Sequence, residues 1–518
     1  MITLRNITID QALREAVEKY PDNKAIVYGD ECYTYREFDE AVTRMASGLI
    51  DCGAKKGDRV GVWCDTSPKA IIAMFACFRA GFVLTMFNTS LLHQEMMELM
   101  NAIDIKQLII GEGYKNVDFI KESELFYDNV PALQNILYIG NDMTRREYKN
   151  IARYRGTADN LVSEFSEKVT PEDEACILFT SGTTHTAKPV VTTNYSRVNS
   201  ALLQGEDIKT TENDVFCITM PIFHCFSLNV NIMAPLFNGA CICIPKSRHT
   251  GDVIEAVVKH KCTVMSSVPS FYHALIVKQD LSKFDISSLR VGFIGGSACP
   301  PGLFKEIEEA LGFTLLSSFG QTEATAGITV AGLDDSLEER ATTLGHFMDY
   351  IQYKFTDEGE ICIKGYNVMK GYFNDPEATA RVIDSEGWLH TGDTGYLNEN
   401  GNLVYTGRCK EIIIRGGENI SPMEIEKVMA DDGRIRAVKA IGIPDSHYGE
   451  EVALCVVKEE GASITENDIR AIYRMKLADF KNPKYIYFFN ELPENEFGKV
   501  NIEELRKETA YKLGDYRE

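Results

Sequence analysis

The chain has 518 residues, 44% of them hydrophobic and 25% charged, with a formal net charge of −22 at pH 7. That length exceeds what one hydrophobic core supports and predicts two or three domains. A field this negative repels nucleic acid and anionic membrane surfaces, so an anionic substrate needs local Lys or Arg.

The 14 cysteines form no C-x-x-C pair and read as buried soft side chains in a reducing compartment, here the cytoplasm; no H-E-x-x-H or Cys/His cluster suggests zinc. The opening MITLRNITIDQALREAVEKYP lacks both a basic and an apolar leader region and predicts a helix over 10–20, stopped by Pro21. Residues 26–35 (IVYGDECYTY) predict a hairpin about Gly29 and Asp30. An amphipathic helix follows, with Phe38, Val42, Met45 and Leu49 on one face and Gly53 at its end. Strands at 59–64, 108–110 and 136–139 alternate with a helix within 67–79, the pattern of a parallel sheet covered on both faces. Residues 70–87 are apolar apart from Arg79, Gly81 and Thr85. A charge near the centre predicts a buried helix running into a strand, not a membrane span. The polar stretch 142–166 reads as a surface connection.

Residues 178–189 (LFTSGTTHTAKP) follow an apolar strand at 175–179. Thr180, Ser181, Gly182, Thr183 and Thr184 are consecutive small residues that cannot pack a core. They read either as a surface loop or as backbone N–H groups and hydroxyls presented to an oxyanion, with Lys188 adding positive charge. A Walker loop is excluded: Ala187 stands where that pattern needs Gly and Pro189 where it needs Ser or Thr. The extended look of 190–193 also argues against it.

Between strand-like runs at 215–220 and 240–244 lies PIFHCFSLNVNIMAPLFNG, in which His224 sits among aromatics; by itself such a His is more often a core residue than a functional one. A helix at 252–259, a strand at 263–268, a helix from Pro269 and a strand at 290–298 continue the α/β alternation. Gly295, Gly296 and Ser297 stand near the carboxyl end of that last strand, where ligands approach open α/β sheets. Then come SSFGQTEAT (317–325), GWLHTGDTGY (387–396) and GRCKEIIIRGGENISPMEIE (407–426). After Lys410 the composition becomes that of a compact α/β unit, with strands at 437–443 and 451–457, a helix at 466–476 and a closing PENEFGKV.

In this order the segments resemble the AMP-forming acyl-CoA synthetases, the acyl-adenylate family. The loop is similar to the family's TSGTTGxPKG at Thr180, Ser181, Gly182, Thr183, Thr184 and Lys188, and departs from it at His185, Ala187 and Pro189. SSFGQTEAT resembles the family's YGxTE, with Phe319 in place of Tyr. The resemblance implies an α/β fold: a large N-terminal domain (1–409) of parallel-rich sheets covered by helices plus a barrel-like subdomain, and a small mobile α+β lid (410–518) hinged at Lys410.

It also implies roles. The loop residues and Lys188 would grip the phosphates of ATP, Glu323 and Thr183 would hold Mg2+, and Thr322 would bond the α-phosphate. Gly295, Gly296, Ser297 and Gly320 would lie against adenine and the acyl group, and Phe319 would stack on adenine. Asp393 would bind the ribose hydroxyls and Arg408 the ribose and phosphate. His224 would gate the carboxylate's entry, Lys499 would reach the reacting groups, and Gly416, Gly417 and Glu418 would line the tunnel for coenzyme A.

The implied reaction joins a carboxylic acid to coenzyme A through an acyl-adenylate. No charged residue occurs from 221 to 236, which favours an apolar acid: a medium- or long-chain fatty acid first, an aryl or branched acid second, and a carnitine-like betaine third. The alternatives are transfer of the acyl group to a carrier protein, and a nucleotide-binding relative that has lost turnover. Neither a nucleic-acid partner nor a membrane span is expected; a homodimer is left open.

Overall fold

The computed structural model describes residues 2–141, 149–151, 159–180, 187–408, 412–430, 432–493 and 500–515. The chain divides into two compact units, the larger made of Met1–Thr89, Met96–Phe179 and Pro189–Cys409, the smaller chiefly of Lys410–Glu518.

Two sheets organise the larger unit. One has nine strands in the order His346–Phe347, Thr329–Val330, Thr314–Phe319, Val291–Ile294, Val264–Ser266, Val215–Ile218, Cys241–Ile244, Lys24–Tyr28 and Glu31–Thr34. Every strand from Lys24–Tyr28 to Thr314–Phe319 runs parallel to its neighbours, and antiparallel pairs close both ends. Its central strands are buried along their whole length, as continuous apolar runs such as VGFI and CICI require. The other sheet has eight strands: Gly371–Tyr372, Lys188–Thr193, Glu174–Thr180, Val83–Met86, Arg59–Trp63, Gln107–Ile110, Asn135–Tyr138 and Lys149–Asn150.

The apolar stretch at 70–87 is the helix Pro68–Ala80 followed by the strand Val83–Met86, with Ser67 capping the helix on the Ala70 N–H and Gly81 ending it at φ 69°. No described helix is long and apolar enough to cross a membrane. Arg79 is fully buried in this helix. Its Nε donates to Asp10 Oδ1 at 2.7 Å, its Nη2 to Asp39 Oδ1 at 2.5 Å, and its Nη1 to Thr43 Oγ1 at 2.7 Å and the Asp39 carbonyl at 2.9 Å. Three helices are thereby tied through one cation.

The stretch 142–166 differs from the surface connection expected of it. Within its described part, Lys149–Asn150 adds a parallel strand to the eight-stranded sheet and Asp159–Glu167 is a helix. Val162 is buried and Phe165 packs on the main core. These two apolar positions, one helical turn apart, were too few to show a period among so many polar residues. The subdomain expected to be barrel-like is built on a four-stranded antiparallel sheet, Gln352–Phe355, Glu360–Lys364, Leu389–Leu397 and Leu403–Arg408.

The smaller unit is a mixed five-stranded sheet with helices. Glu418–Ile420, Ile413–Arg415, Gly449–Lys458 and Ile435–Asp445 follow one another, and Tyr485–Phe489 pairs parallel to Gly449–Lys458. Ile413, Ile420, Ile425, Met429, Leu454 and Tyr473 form its core with the helices Pro422–Ala430 and Glu466–Lys476.

The Arg79 cluster yields a stability prediction. Burial pushes the Asp10 carboxyl up, but Arg79 and Arg14 outweigh it and hold it below its ordinary value of 3.8. A depressed carboxylate stabilises the fold above its unfolded pKa and loses that contribution as pH falls through the lower folded value. Asp10→Ala leaves a buried guanidinium short of one charge partner and should cost about 3–5 kcal/mol near neutral pH. Asp39→Ala should cost less, because the Asp39 side chain is 31% exposed. Urea midpoints of the two variants check this; equal losses would refute it.

Candidate active site

Strand ends of the larger unit carry most of the residues singled out from the sequence. Gly295 follows the strand Val291–Ile294, and a Cβ there would stand 2.7 Å from the Ser318 carbonyl oxygen. Gly296 lies at φ 79°, and Ser297 follows it. Phe319 ends the strand Thr314–Phe319. At Gly320 a Cβ would fall 1.4 Å from the Ala326 carbonyl oxygen, so only glycine fits.

Thr322 and Glu323 occupy a single 3-10 turn, Thr322–Ala324. Two left-handed non-glycine residues follow it, Thr325 at φ 48° and Ala326 at φ 80°. Such conformations persist only where the surroundings enforce them. Here the Thr325 carbonyl accepts from Ser200 Oγ at 2.7 Å and Asn229 Nδ2 at 3.3 Å, and Thr325 Oγ1 donates to the Asn367 carbonyl at 2.6 Å. Asn367 Nδ2 in turn donates to the Gly327 carbonyl at 2.7 Å.

Two contacts aim the side chains of this turn. The Tyr372 hydroxyl donates to Glu323 Oε1 at 3.0 Å, and Tyr372 pairs with Val190 in the strand that Lys188 opens. A neutral donor orients the carboxylate and leaves it its charge. Burial, with Glu323 adding to it, pushes the Tyr372 phenol well above its ordinary range, so it stays a donor. Thr322 Oγ1 donates to Cys225 Sγ at 3.5 Å, which sets Thr322 against the residue that follows His224 in the chain. The His224 carbonyl accepts from the Leu228 N–H at 3.0 Å, and the chain continues into the π-helix Ser227–Met233. Wide helices of this kind recur at functional sites.

Asp393 and Arg408 face each other on the paired strands Leu389–Leu397 and Leu403–Arg408. Their charged atoms are 2.8 Å apart, with the Asp393 side chain only 1% exposed. Yet no donor among the described residues is well aligned on either carboxylate oxygen, although Arg408 Nε lies at ion-pair distance and the Tyr405 hydroxyl is close enough to help hold the carboxyl down. Burial pushes the Asp393 carboxyl up to about 6 against the pull of Arg408. Two desolvated acceptor oxygens fit a vicinal diol, whose two O–H groups supply the missing donors. The Phe319 ring lies 6.4 Å from that of Tyr405, which precedes Arg408 on the same strand, so the Thr322–Glu323 turn and the Asp393 pair share one region.

The remaining candidates fall elsewhere. Thr180 ends the strand Glu174–Thr180 and Lys188 begins Lys188–Thr193. Ser181, Gly182, Thr183, Thr184, Lys410 and Lys499 lie outside the described residues. Gly416 and Gly417, in the smaller unit, form the two-residue turn between Ile413–Arg415 and Glu418–Ile420, with φ of 60° and 87°. Positive φ at both positions is the signature of a tight hairpin turn that suits Gly-Gly. Glu418 opens the second strand of that hairpin.

Sequence reasoning missed Arg197. It is fully buried on the helix Asn194–Asp207, with Nε donating to Thr192 Oγ1 at 2.9 Å and Nη1 to Asn229 Oδ1 at 2.6 Å. Among the described residues it has no carboxylate partner and its Nη2 has no acceptor. Through Asn229 it braces the Thr325 carbonyl. The available signal was an Arg inside a small-residue helix just after the candidate loop.

Asp393 gives the second prediction. A carboxyl raised in the folded state binds its proton more tightly folded than unfolded, so stability falls as pH rises from about 3.8 to about 6. Asp393→Asn should therefore raise the stability at pH 7 by on the order of 3 kcal/mol, seen as a higher melting temperature, and the gain should vanish near pH 4. Thermal melts of the unliganded chain across pH measure it. A variant less stable at both pH values would sink the assignment.

With the geometry in hand, comparisons with known proteins converge. The AMP-binding enzyme family matches residues 13–373, and the C-terminal domain of AMP-binding enzymes matches residues 424–499. The chain is 30% identical to a mitochondrial medium-chain acyl-CoA ligase of Danio rerio, over 99% of this chain and 90% of that one. It is 30% identical to a methyl-dioxo-octahydroindenyl-propanoyl:CoA ligase of Rhodococcus jostii (strain RHA1), over 98% and 100%. Among solved structures, the o-succinylbenzoate CoA synthetase of Bacillus subtilis superposes with a TM-score of 0.81 at 25% identity, covering 97% of this chain and 98% of that one. The chain belongs to the AMP-binding enzymes and, within them, to the AMP-forming acyl-CoA ligases.

Proposed function

We propose that the protein activates a carboxylic acid with ATP and passes the acyl group to coenzyme A. The observation that carries this reading is the shared region of the Thr322–Glu323 turn and the buried Asp393 carboxylate, whose oxygens lack a well-aligned donor. In the first half-reaction the acid's carboxylate oxygen attacks the α-phosphorus, the bond to the bridging oxygen breaks, and pyrophosphate leaves. Charge grows on the α-phosphate oxygens, where preorganised donors are worth most. Thr322 Oγ1, the loop around Gly182 and Lys499 are assigned to them. Asp393 holds the ribose through its diol, and Arg408 sits beside it as a counter-charge.

Glu323 is the oxygen donor suited to a hard divalent cation, with Thr183 completing the protein's share; bound there, Mg2+ would neutralise phosphate charge. Tyr372 supplies the orientation such a carboxylate needs.

In the second half-reaction the thiolate of coenzyme A attacks the acyl carbonyl carbon, and AMP leaves. The smaller unit is assigned the role of a lid that turns about Lys410, presenting Lys499 for the first step and the Gly416–Gly417 hairpin for the second.

For the acid we infer an apolar chain of medium length first. The absence of charged residues from 221 to 236, beside His224, supports this. A second reading, an acid carrying a further polar or anionic group, is favoured by Arg197 Nη2 and by the buried Asn231 on the π-helix Ser227–Met233, whose amide has no hydrogen-bond partner. The similar proteins act, by their names, on substrates as different as medium-chain acyl and o-succinylbenzoyl groups.

Pyrophosphate release with ATP and matched acids of different length and polarity separates these readings. Octanoate should outperform butyrate and adipate; a preference for the dicarboxylate would favour the second. A thioester that forms only on a carrier protein and not on coenzyme A would refute the acceptor assignment.

The half-reactions should part by mutation. Lys499→Ala should lose roughly 10²- to 10³-fold in adenylate formation, yet still convert supplied acyl-adenylate and coenzyme A to thioester. Gly417→Leu should retain pyrophosphate exchange and lose thioester formation. Its positive φ adds about 1–2 kcal/mol of backbone strain, and retained exchange shows that the fold of the larger unit is unaffected. If both variants lose the same half-reaction equally, the two-position lid is wrong.

A further inference from the structure

The antiparallel strands Glu360–Lys364 and Leu389–Leu397 place Cys362 directly opposite His390. Side chains two apart on a strand share a face, which sets Glu360 beside Cys362. The result is a convergence that the sequence separation concealed. Cys362 Sγ lies 3.4 Å from His390 Nδ1, and Glu360 Oε2 lies 2.9 Å from the same nitrogen. All three donor atoms fall within 4.8 Å of one another.

A hydrogen bond between His390 and Glu360 accounts for one edge of this triangle, and the thiol has a long contact of 3.9 Å to the Glu360 carbonyl. Zinc bond lengths of about 2.0–2.3 Å at tetrahedral angles give donor separations of roughly 3.4–3.6 Å. The two edges at His390 need to open by at most a few tenths of an ångström, and the Cys362–Glu360 edge, within 4.8 Å, closes on the ion by a side-chain rotation. Cys362 is buried, whereas the side chains of His390 and Glu360 are 33% and 20% exposed, so one side of the triangle faces solvent.

The surroundings add a second, independent indication. Metal-binding imidazoles usually offer their other N–H to a carboxylate, and ligand carboxylates are held by their second oxygen. His390 Nε2 stands 3.7 Å from Asp384 Oδ2. Asp384 is itself fixed by the Glu386 and Trp388 N–H groups, both 2.9 Å from its Oδ1. Glu360 Oε1 accepts the Gly392 N–H at 3.0 Å, which leaves Oε2 aimed at the triangle.

We propose that Glu360, Cys362 and His390 form a binding site for a thiophilic divalent cation of the zinc type, with water in the fourth position. The thiolate and carboxylate cancel the cation's charge, the imidazole binds neutral through Nδ1, and the thiol proton is released to solvent. The donor set is soft, unlike the oxygen donors assigned to Mg2+ at Glu323, so the two sites select different ions. The site does not depend on the reading of the catalytic residues.

Co2+ is the probe, because thiolate ligation in a tetrahedral field gives it intense visible bands and a sulfur charge-transfer band. One equivalent of Co2+ on the full chain should produce both, and Zn2+ should displace them. Cys362→Ser should abolish the charge-transfer band, and Asp384→Asn should weaken binding roughly 10- to 100-fold. Zn2+ should raise the melting temperature of the native chain and of neither Cys362→Ser nor His390→Gln. Melts without metal establish that each variant folds; should Cys362→Ser fail to, His390→Gln and Glu360→Gln carry the same comparison. A weak octahedral spectrum, a charge-transfer band that survives loss of Cys362 or His390, or equal Zn2+ shifts in all the chains would overturn the proposal.

Discussion

The carbonyl oxygen of Thr325 is the point on which the polar interior of the larger unit depends. The chain must reverse just after Thr322 and Glu323, and it does so through two left-handed residues that bear side chains. Ser200 and Asn229 grip that carbonyl from two helices, and Arg197 grips Asn229. Arg197 also reaches Thr192, which bonds the Cys176 carbonyl on the neighbouring strand. The strands that flank the candidate phosphate loop and the turn that carries Glu323 are therefore one hydrogen-bonded assembly. Local backbone strain is carried by distributed contacts, a common way of holding reactive groups in place.

Much of the fold was legible because its signals are local. Alternating strands and helices, the helix Pro68–Ala80 and the hairpin about Gly29 and Asp30 each follow from residue patterns a few positions long. The candidate site was legible only through motifs, since Thr322, Asp393 and His224 are ordinary residues until distant segments meet. What stayed hidden depends on partners far apart in the chain. Tyr372 orients Glu323 across 49 positions and Arg197 meets Asn229 across 32, with no spacing rule to announce either. The helix Asp159–Glu167 was missed for the opposite reason: of its three apolar residues Leu161 is exposed, and Val162 and Phe165 speak only when a core is present to receive them.

Asp10 and Asp393 show how alignment outweighs proximity. Both are buried aspartates with a guanidinium within 2.8 Å. Arg79 and Arg14 aim N–H groups at Asp10, and its carboxyl is held below the ordinary range. Arg408 pairs with Asp393 in poor alignment, and desolvation dominates. Two buried ion pairs thus differ in alignment of the bond, not in composition or distance.

The poorly met carboxylate of Asp393 has a consequence for the protein's lifetime in a cell. A desolvated charge without well-aligned donors lowers the stability of the ligand-free chain, and a ligand that supplies the donors restores it by mass action. Turnover by proteases follows the fraction of molecules that open. A ligand whose hydroxyls met that carboxylate would therefore also slow the chain's proteolysis.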